Sequence, residues 1–212
     1  MLVRVFSCGV LGIDGFIIHV DVDNHPGTQQ TFIVGLPDAA VRESRERVNS
    51  ALRNSGFSDR SGVTVVNLAP ADLRKEGTAL DLPIALGLLA ASGQISFRLG
   101  SQFAFAGELA LDGSLRPISG ALSMAIAARD AGLAGIVLPH ENADEAGVVP
   151  NFSIFPVKTL VDAIGFVCGT QEIPPYRTNL DDVLARARRD FRNLNEVKGQ
   201  AHVKRALTVA AA

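Results

Sequence analysis

VTVVNLAPADLRKEGTALDLPIALGLLAA, residues 63 to 91, is the stretch on which the fold turns. It opens with Val63, Thr64, Val65 and Val66, a β-branched run that predicts a buried strand. A turn-rich loop follows, holding Pro70, Asp72, Arg74, Lys75, Glu76 and Gly77. An apolar helix is then entered through Asp81 and Pro83 and closed by Ser92 and Gly93. A carboxylate just ahead of a first-turn proline suits a helix N-terminus. It can accept from exposed N–H groups, and proline has no N–H to lose. Asp81 is therefore expected to act as a structural helix cap. A strand that delivers a tight loop onto the positive end of a buried helix can hold an anion or a nucleophile.

Working outward, 212 residues suffice for one sizeable core, and 47% apolar residues with a formal charge of −2 predict a folded chain. No apolar run reaches the roughly 18 residues of a membrane span, so no membrane partner is expected. The opening MLVRVFSCGVLGIDGF is interrupted by Asp14 and Gly15 and reads as a strand and turn, not as a leader. Cys8 and Cys168 lie far apart with no metal-type spacing, which predicts free thiols in a reducing cytoplasm, and no metal site is expected.

Upstream, Met1 to Phe6, Phe16 to Val22 and Thr31 to Val34 read as strands. Asp38 starts a helix whose stripe of Val41, Val48, Ala51 and Leu52 is apolar, and Gly56 ends it. Downstream, Phe103 to Leu109 reads as a strand turned by LDGS into LRPIS, and Gly120 to about Ala131 as a helix. Ile136 to Leu138 and Ile154 to Val157 are further strands, with helices at Glu141 to Ala146 and Thr159 to Val167. Alternating elements predict one α+β or α/β domain over residues 1–168. GTQEIPPYRTN then reads as a linker, 169–192 in all, with a short arginine-rich helix from Asp181 to Arg192. Residues 193–212 begin a new unit.

Four motifs occur in order: IVGLPDAAVRESRERV from Ile33, VNLAPADLRKEGTALDLPIALGLLAA, GELALDGSLRPISGAL and LPHENADEA. Together they resemble the N-terminal, ChlI-type domain of magnesium-chelatase-related AAA+ ATPases of the ComM/YifB kind. That resemblance implies an α+β fold like ribosomal protein S5 domain 2 and the proteolytic domain of Lon protease. It also implies a following AAA+ module, whose opening helix Val197, Gly199, Gln200, Lys204 and Arg205 resemble. No G-x-x-x-x-G-K-[ST] loop occurs, so ATP and magnesium are expected in a missing module and no cofactor in this fragment. The implied partners are that module, further copies in a hexamer, and DNA handled by a branch-migration helicase of recombination and natural transformation.

Lon-type proteases pair a serine nucleophile with a lysine base. Against the family motif Lys-Asp-Gly-Pro-Ser-Ala-Gly, this chain has Lys75-Glu76-Gly77-Thr78-Ala79-Leu80-Asp81, so Ala79 stands at the serine. Against Pro-Ile-Gly-Gly-Leu-Lys it has Pro117-Ile118-Ser119-Gly120-Ala121-Leu122, so Leu122 stands at the lysine. A methyl group cannot attack a carbonyl and an isobutyl group cannot take a proton. No peptidase activity is expected, and Ala79 and Leu122 are expected to share a pocket. Two alternatives compete: an active Lon-like serine peptidase, for which Thr78 with a solvated Lys75 would be a shifted dyad, and a magnesium-chelatase-type assembly subunit. Arg42, Arg45, Arg53, Arg74 and Lys75 are candidate nucleic-acid contacts, Arg47 lies on the same helix, and Arg186, Arg188, Arg189 and Arg192 form a second basic cluster. Interleaved Glu43, Glu46 and Glu76 give those charges local partners instead, and no aromatic residues alternate with them.

Overall fold

The computed structural model describes residues 1–28, 30–58, 62–179, 183, 185 and 194–211. Strands β1 (Leu2–Leu11) and β2 (Asp14–His25) pair antiparallel from Leu2 opposite Asp23 to Leu11 opposite Asp14. The sequence reading stopped β1 at Phe6 and began β2 at Phe16. Pairing runs on because Gly12, at φ +66°, closes a two-residue turn with Ile13. β3 (Gln30–Val34) lies parallel to β4 (Val63–Ala69), which is antiparallel to β2. Beyond β1, parallel pairing adds β5 (Phe103–Phe105). After a short hairpin of β6 (Glu108–Leu109) and β7 (Leu115–Arg116) come β8 (Gly135–Pro139) and β9 (Ser153–Val157). The seven-stranded order is β3-β4-β2-β1-β5-β8-β9, mixed and mostly parallel.

Helices cover both faces. On one face α1 (Ala39–Asn54), α2 (Asp81–Ala91) and α5 (Leu160–Cys168) close over Val5, Val20, Val22, Val66 and Leu68. On the other, α3 (Ala121–Asp130) and α4 (Ala143–Ala146) close over Cys8, Ala104, Ile136 and Ile154. Every residue of α2 is buried, so the helix is apolar all round and sits inside the domain. Gly87 permits its close seat: a Cβ there would stand 2.6 Å from Val22 Cγ2. α1 buries Val41, Val48, Ala51 and Leu52, the stripe read from sequence, and Asp38 caps it by accepting from Val41 N–H at 2.7 Å.

The strand expected over Phe103 to Leu109 is broken at Ala106 and Gly107. There the Gly107 N–H turns out of the sheet to donate to Ala79 O at 2.8 Å. The end of the domain also differs from the sequence reading. The first compact unit runs Met1–Thr178, not to Cys168, and Asn179–Ala212 is a second. Residues 169–178 are a strap rather than a linker: Tyr176 N–H donates to Ile154 O at 2.7 Å, its hydroxyl to Asp144 at 2.5 Å, and Thr178 Oγ1 to Asp144 O at 2.8 Å. The second unit contains α6 (Ala201–Ala211), which buries no residue. Of the arginine-rich helix expected from Asp181 to Arg192 only residues 183 and 185 are described, both helical, and Arg186, Arg188, Arg189 and Arg192 lie outside the described residues. No described helix is long and apolar enough to cross a membrane.

Candidate functional site

The loop between β4 and α2 is pinned at three levels. First, it pairs with the strand end ahead of α1: Lys75 N–H donates to Leu36 O at 3.2 Å and Asp38 N–H to Lys75 O at 3.0 Å. The Asp38 carboxylate that caps α1 also accepts from Gly77 N–H at 3.2 Å. Second, Leu82 N–H donates to Gly107 O at 3.0 Å, so the start of α2 is tied to the break between β5 and β6. Third, Asp81 is fully buried and forms a two-point ion pair with Arg47 of α1, Nε to Oδ2 at 2.8 Å and Nη2 to Oδ1 at 3.0 Å. Its Oδ2 also accepts from Leu109 N–H at 3.2 Å.

Asp81 is therefore not the cap that its position suggested. It is the first residue of α2, the helix end carries no side-chain cap, and the carboxylate faces sideways to join α1, α2 and β6. Burial pushes its carboxyl above the usual range, and the Arg47 hydrogen bond and charge act against that rise. The Arg47 guanidinium is held charged more firmly by the same pair, burial opposing.

These pins place the loop in the wall of a cleft of about 320 Å³. Gly77, Thr78 and Ala79 form one side and Pro117, Ile118 and Ser119 the other. The two halves of the expected dyad motif thus meet across one cavity. Ala79 lines it. Leu122 does not: it sits at the first turn of α3, partly exposed, its N–H donated to Glu145 Oε1 at 3.1 Å. The shared pocket expected of Ala79 and Leu122 is thereby corrected to one shared by Ala79 and the segment just ahead of Leu122. That segment is held from behind by Asn142, buried, whose Oδ1 accepts from Ile118 N–H at 2.9 Å and whose Nδ2 donates to Ile118 O at 2.7 Å. Asn142 and Glu145 belong to the motif LPHENADEA, quoted from the sequence without a role; the register of polar residues against an apolar strand was its only sign.

Inside the cleft the Thr78 hydroxyl donates to Glu108 Oε2 at 2.5 Å, and Arg116 approaches the other Glu108 oxygen at 3.6 Å. The Cys8 thiol borders the same cavity, and burial pushes it up to about 12. Lys75 was read as solvated and as a candidate phosphate contact. It is 1% exposed, and its ammonium donates to Pro70 O. Burial lowers its pKa, against a small opposing pull from Asp72. The loop folds back over it because its own backbone is taken up by the pairing with Leu36 and Asp38. Lys75 and Thr78 therefore form no dyad, since each has another partner.

The remaining candidate cations separate. Arg74 pairs with Glu76 at 3.5 Å on the exposed loop. Arg42, Arg45 and Arg53 line a groove between α1 and β3. Among the described residues no group of three or more His, Cys, Asp or Glu side chains could hold a metal ion.

Residues 20–142 match the family model described as subunit ChlI of Mg-chelatase. The chain belongs to the ChlI family. This ChlI-type chain is also similar over its whole length to ComM/YifB proteins. It is 37% identical over 213 residues to the competence protein ComM of Haemophilus influenzae, covering 100% of this chain and 42% of that protein. It is 37% identical over 208 residues to YifB of Escherichia coli, covering 98% of this chain and 40% of that one. The chain thus spans about two fifths of the length of these relatives. A more distant likeness, 26% over 190 residues, is to a Lon protease of Chloroflexus aurantiacus, covering 84% of this chain and 22% of the protease.

Proposed function

We propose that this ChlI-type chain is a non-peptidase module of a ComM-type AAA+ ATPase, built on the Lon proteolytic-domain and ribosomal protein S5 domain 2 type of fold. In this reading it supports ring assembly, as a hexamer, and DNA engagement by a branch-migration helicase of recombination. ATP and magnesium belong to the AAA+ module. The observation that carries the reading is the cleft: a methyl group, Ala79, stands at the loop-to-helix junction, and no lysine lines the cavity. A cavity without a hydroxyl–amine pair retains the architecture of an acyl-transfer site without its nucleophile and base. The test is a full-length protein lacking residues 1–178. Hexamer formation by light scattering and unwinding of a branched DNA substrate both fall on this reading; an unchanged hexamer with unchanged unwinding overturns it.

One observation favours a second reading, peptide hydrolysis. The Thr78 hydroxyl rests on a carboxylate, an arrangement that could take its proton. Incubation with an unstructured protein such as casein decides between them. No turnover is expected; turnover lost in Thr78→Ala would establish the peptidase.

A further inference from the structure

β3 is an end strand of the sheet, and its sequence QTFIV carries neither proline nor lysine to guard the open edge. Gln30 N–H donates to Gly62 O, on the β4 side. Backbone groups alternate in direction along a strand, so those of Thr31 and Ile33 point away from β4. Among the described residues neither of those N–H groups has a partner.

The same strand borders a groove that α1 walls. Gln30, Thr31 and Phe32 line it beside Arg45, Glu46, Asn49 and Arg53, with a volume of about 490 Å³. A continuation of about 280 Å³ runs along Thr31, Phe32 and Ile33 beside Arg42 and Arg45. Helix and strand thus run side by side in opposite senses. Arg45 and Arg53 are eight residues apart on α1, about 12 Å along its axis. Same-face side chains four residues apart on an added strand would lie about 13 Å apart.

We propose that this groove binds an extended acidic peptide by strand addition: its backbone pairs with Thr31 and Ile33, and carboxylates four residues apart meet Arg45 and Arg53. Such pairing draws affinity from the main chain and selectivity from alternate side chains. The observations favour a peptide over a nucleic-acid strand on two counts. A DNA sugar–phosphate backbone, without a 2′-hydroxyl, has no donors for the outward carbonyls of Thr31 and Ile33. Glu46 also stands in the groove wall, where a uniform row of phosphates would meet it and a peptide can place a neutral residue. Arg45 already touches Glu46, Nε to Oε1 at 3.0 Å, but both are more than half exposed, so the pair exchanges at little cost. Arg53 already has an interaction of its own, and the peptide carboxylate shares its guanidinium, which carries five N–H donors.

The test uses the 212-residue chain and a fluorescein-labelled octapeptide, Thr-Glu-Thr-Thr-Thr-Glu-Thr-Thr, whose two glutamates stand four residues apart, followed by anisotropy. Binding is expected, weakening with salt. Methylating the peptide amides on its pairing edge should weaken it at least tenfold, as should Arg45→Glu, whereas Arg98→Glu, an exposed change outside the groove, should not. Circular dichroism confirms that the variants fold. Equal binding of the methylated peptide, equal binding of the same peptide with lysine in place of both glutamates, or loss with Arg98→Glu overturns the proposal. So does binding of a twelve-residue oligothymidylate that Arg45→Glu weakens while the acidic peptide is ignored, which assigns the groove to nucleic acid. None of these results bears on the inert cleft, so the module reading stands or falls separately.

Discussion

Replacing Arg47 with methionine strands the Asp81 carboxylate. Asp81 is fully buried and keeps only the 3.2 Å hydrogen bond from Leu109 N–H once both guanidinium contacts are gone. Removing one partner of a buried pair costs about 3–5 kcal/mol. The lower end applies here, because Arg47 is itself 22% exposed and part of the pair already meets water. At about 2–4 °C per kcal/mol for a chain of this size, a loss of about 3 kcal/mol lowers the melting temperature by roughly 6–12 °C. Asp81→Asn is milder, about 1–2 kcal/mol, since the amide keeps the Leu109 contact and Arg47 can turn to solvent. The double variant Arg47→Met with Asp81→Asn recovers most of the Arg47→Met loss.

The pH dependence has a fixed sign. Burial raises the folded pKa of Asp81, and Arg47 restrains that rise, so removing Arg47 raises it further. A carboxyl with a raised folded pKa adds stability below its unfolded value, about 3.9, and loses it as pH climbs through the folded one. The deficit of Arg47→Met against the parent is therefore smaller at pH 4.5 than at pH 8. Urea unfolding followed by circular dichroism at both values measures it. A deficit under about 1 kcal/mol at pH 8, or one that grows toward pH 4.5, refutes the assignment of Asp81 as a buried partner of Arg47.

Three further outcomes follow from the same geometry. Cys8, with its thiol pushed up to about 12, resists iodoacetamide at pH 8 until the chain unfolds, while the partly exposed Cys168 reacts first; mass spectrometry of timed samples reads the order. Lys75→Met is as stable as the parent or more so. Burial depresses the folded pKa of Lys75, so the parent gains stability as pH rises from that value toward about 10.4, and the variant's advantage shrinks over that window in thermal melts. Asn142→Ala removes both contacts to Ile118 and leaves its buried N–H and C=O unpaired, for a loss of about 2–4 kcal/mol that urea unfolding detects.

The core was legible in the sequence because apolar periodicity reports it directly. The stripe of α1 and the all-apolar run of α2 could be assigned residue by residue before any coordinates. Boundaries were harder. The β1–β2 hairpin extends five residues beyond the predicted end of β1 because Gly12 permits a turn that composition alone does not announce. Residues 169–178 look like a linker from two prolines, yet Tyr176 and Thr178 bond back to β9 and α4, contacts fixed by tertiary position rather than local pattern. At the site, the motifs led to segments that line one cavity, Gly77 to Ala79 and Pro117 to Ser119, though not to the place of Leu122. They could not tell a capping carboxylate from one paired with Arg47, nor a solvated Lys75 from a buried one. Both depend on residues more than 30 positions away or on a loop folding back over itself.

The strap through Tyr176 has a consequence for how copies of this domain can meet. It pairs with the outer edge of β9 at Ile154 and leaves β3, among the described residues, as the sheet's bare flank. A particle with two bare flanks can stack without limit, like bricks laid end to end. A particle with one can, by sheet-edge pairing, clasp at most a single neighbour, so cutting the chain at Cys168 instead of after Thr178 would trade a terminating edge contact for one that propagates.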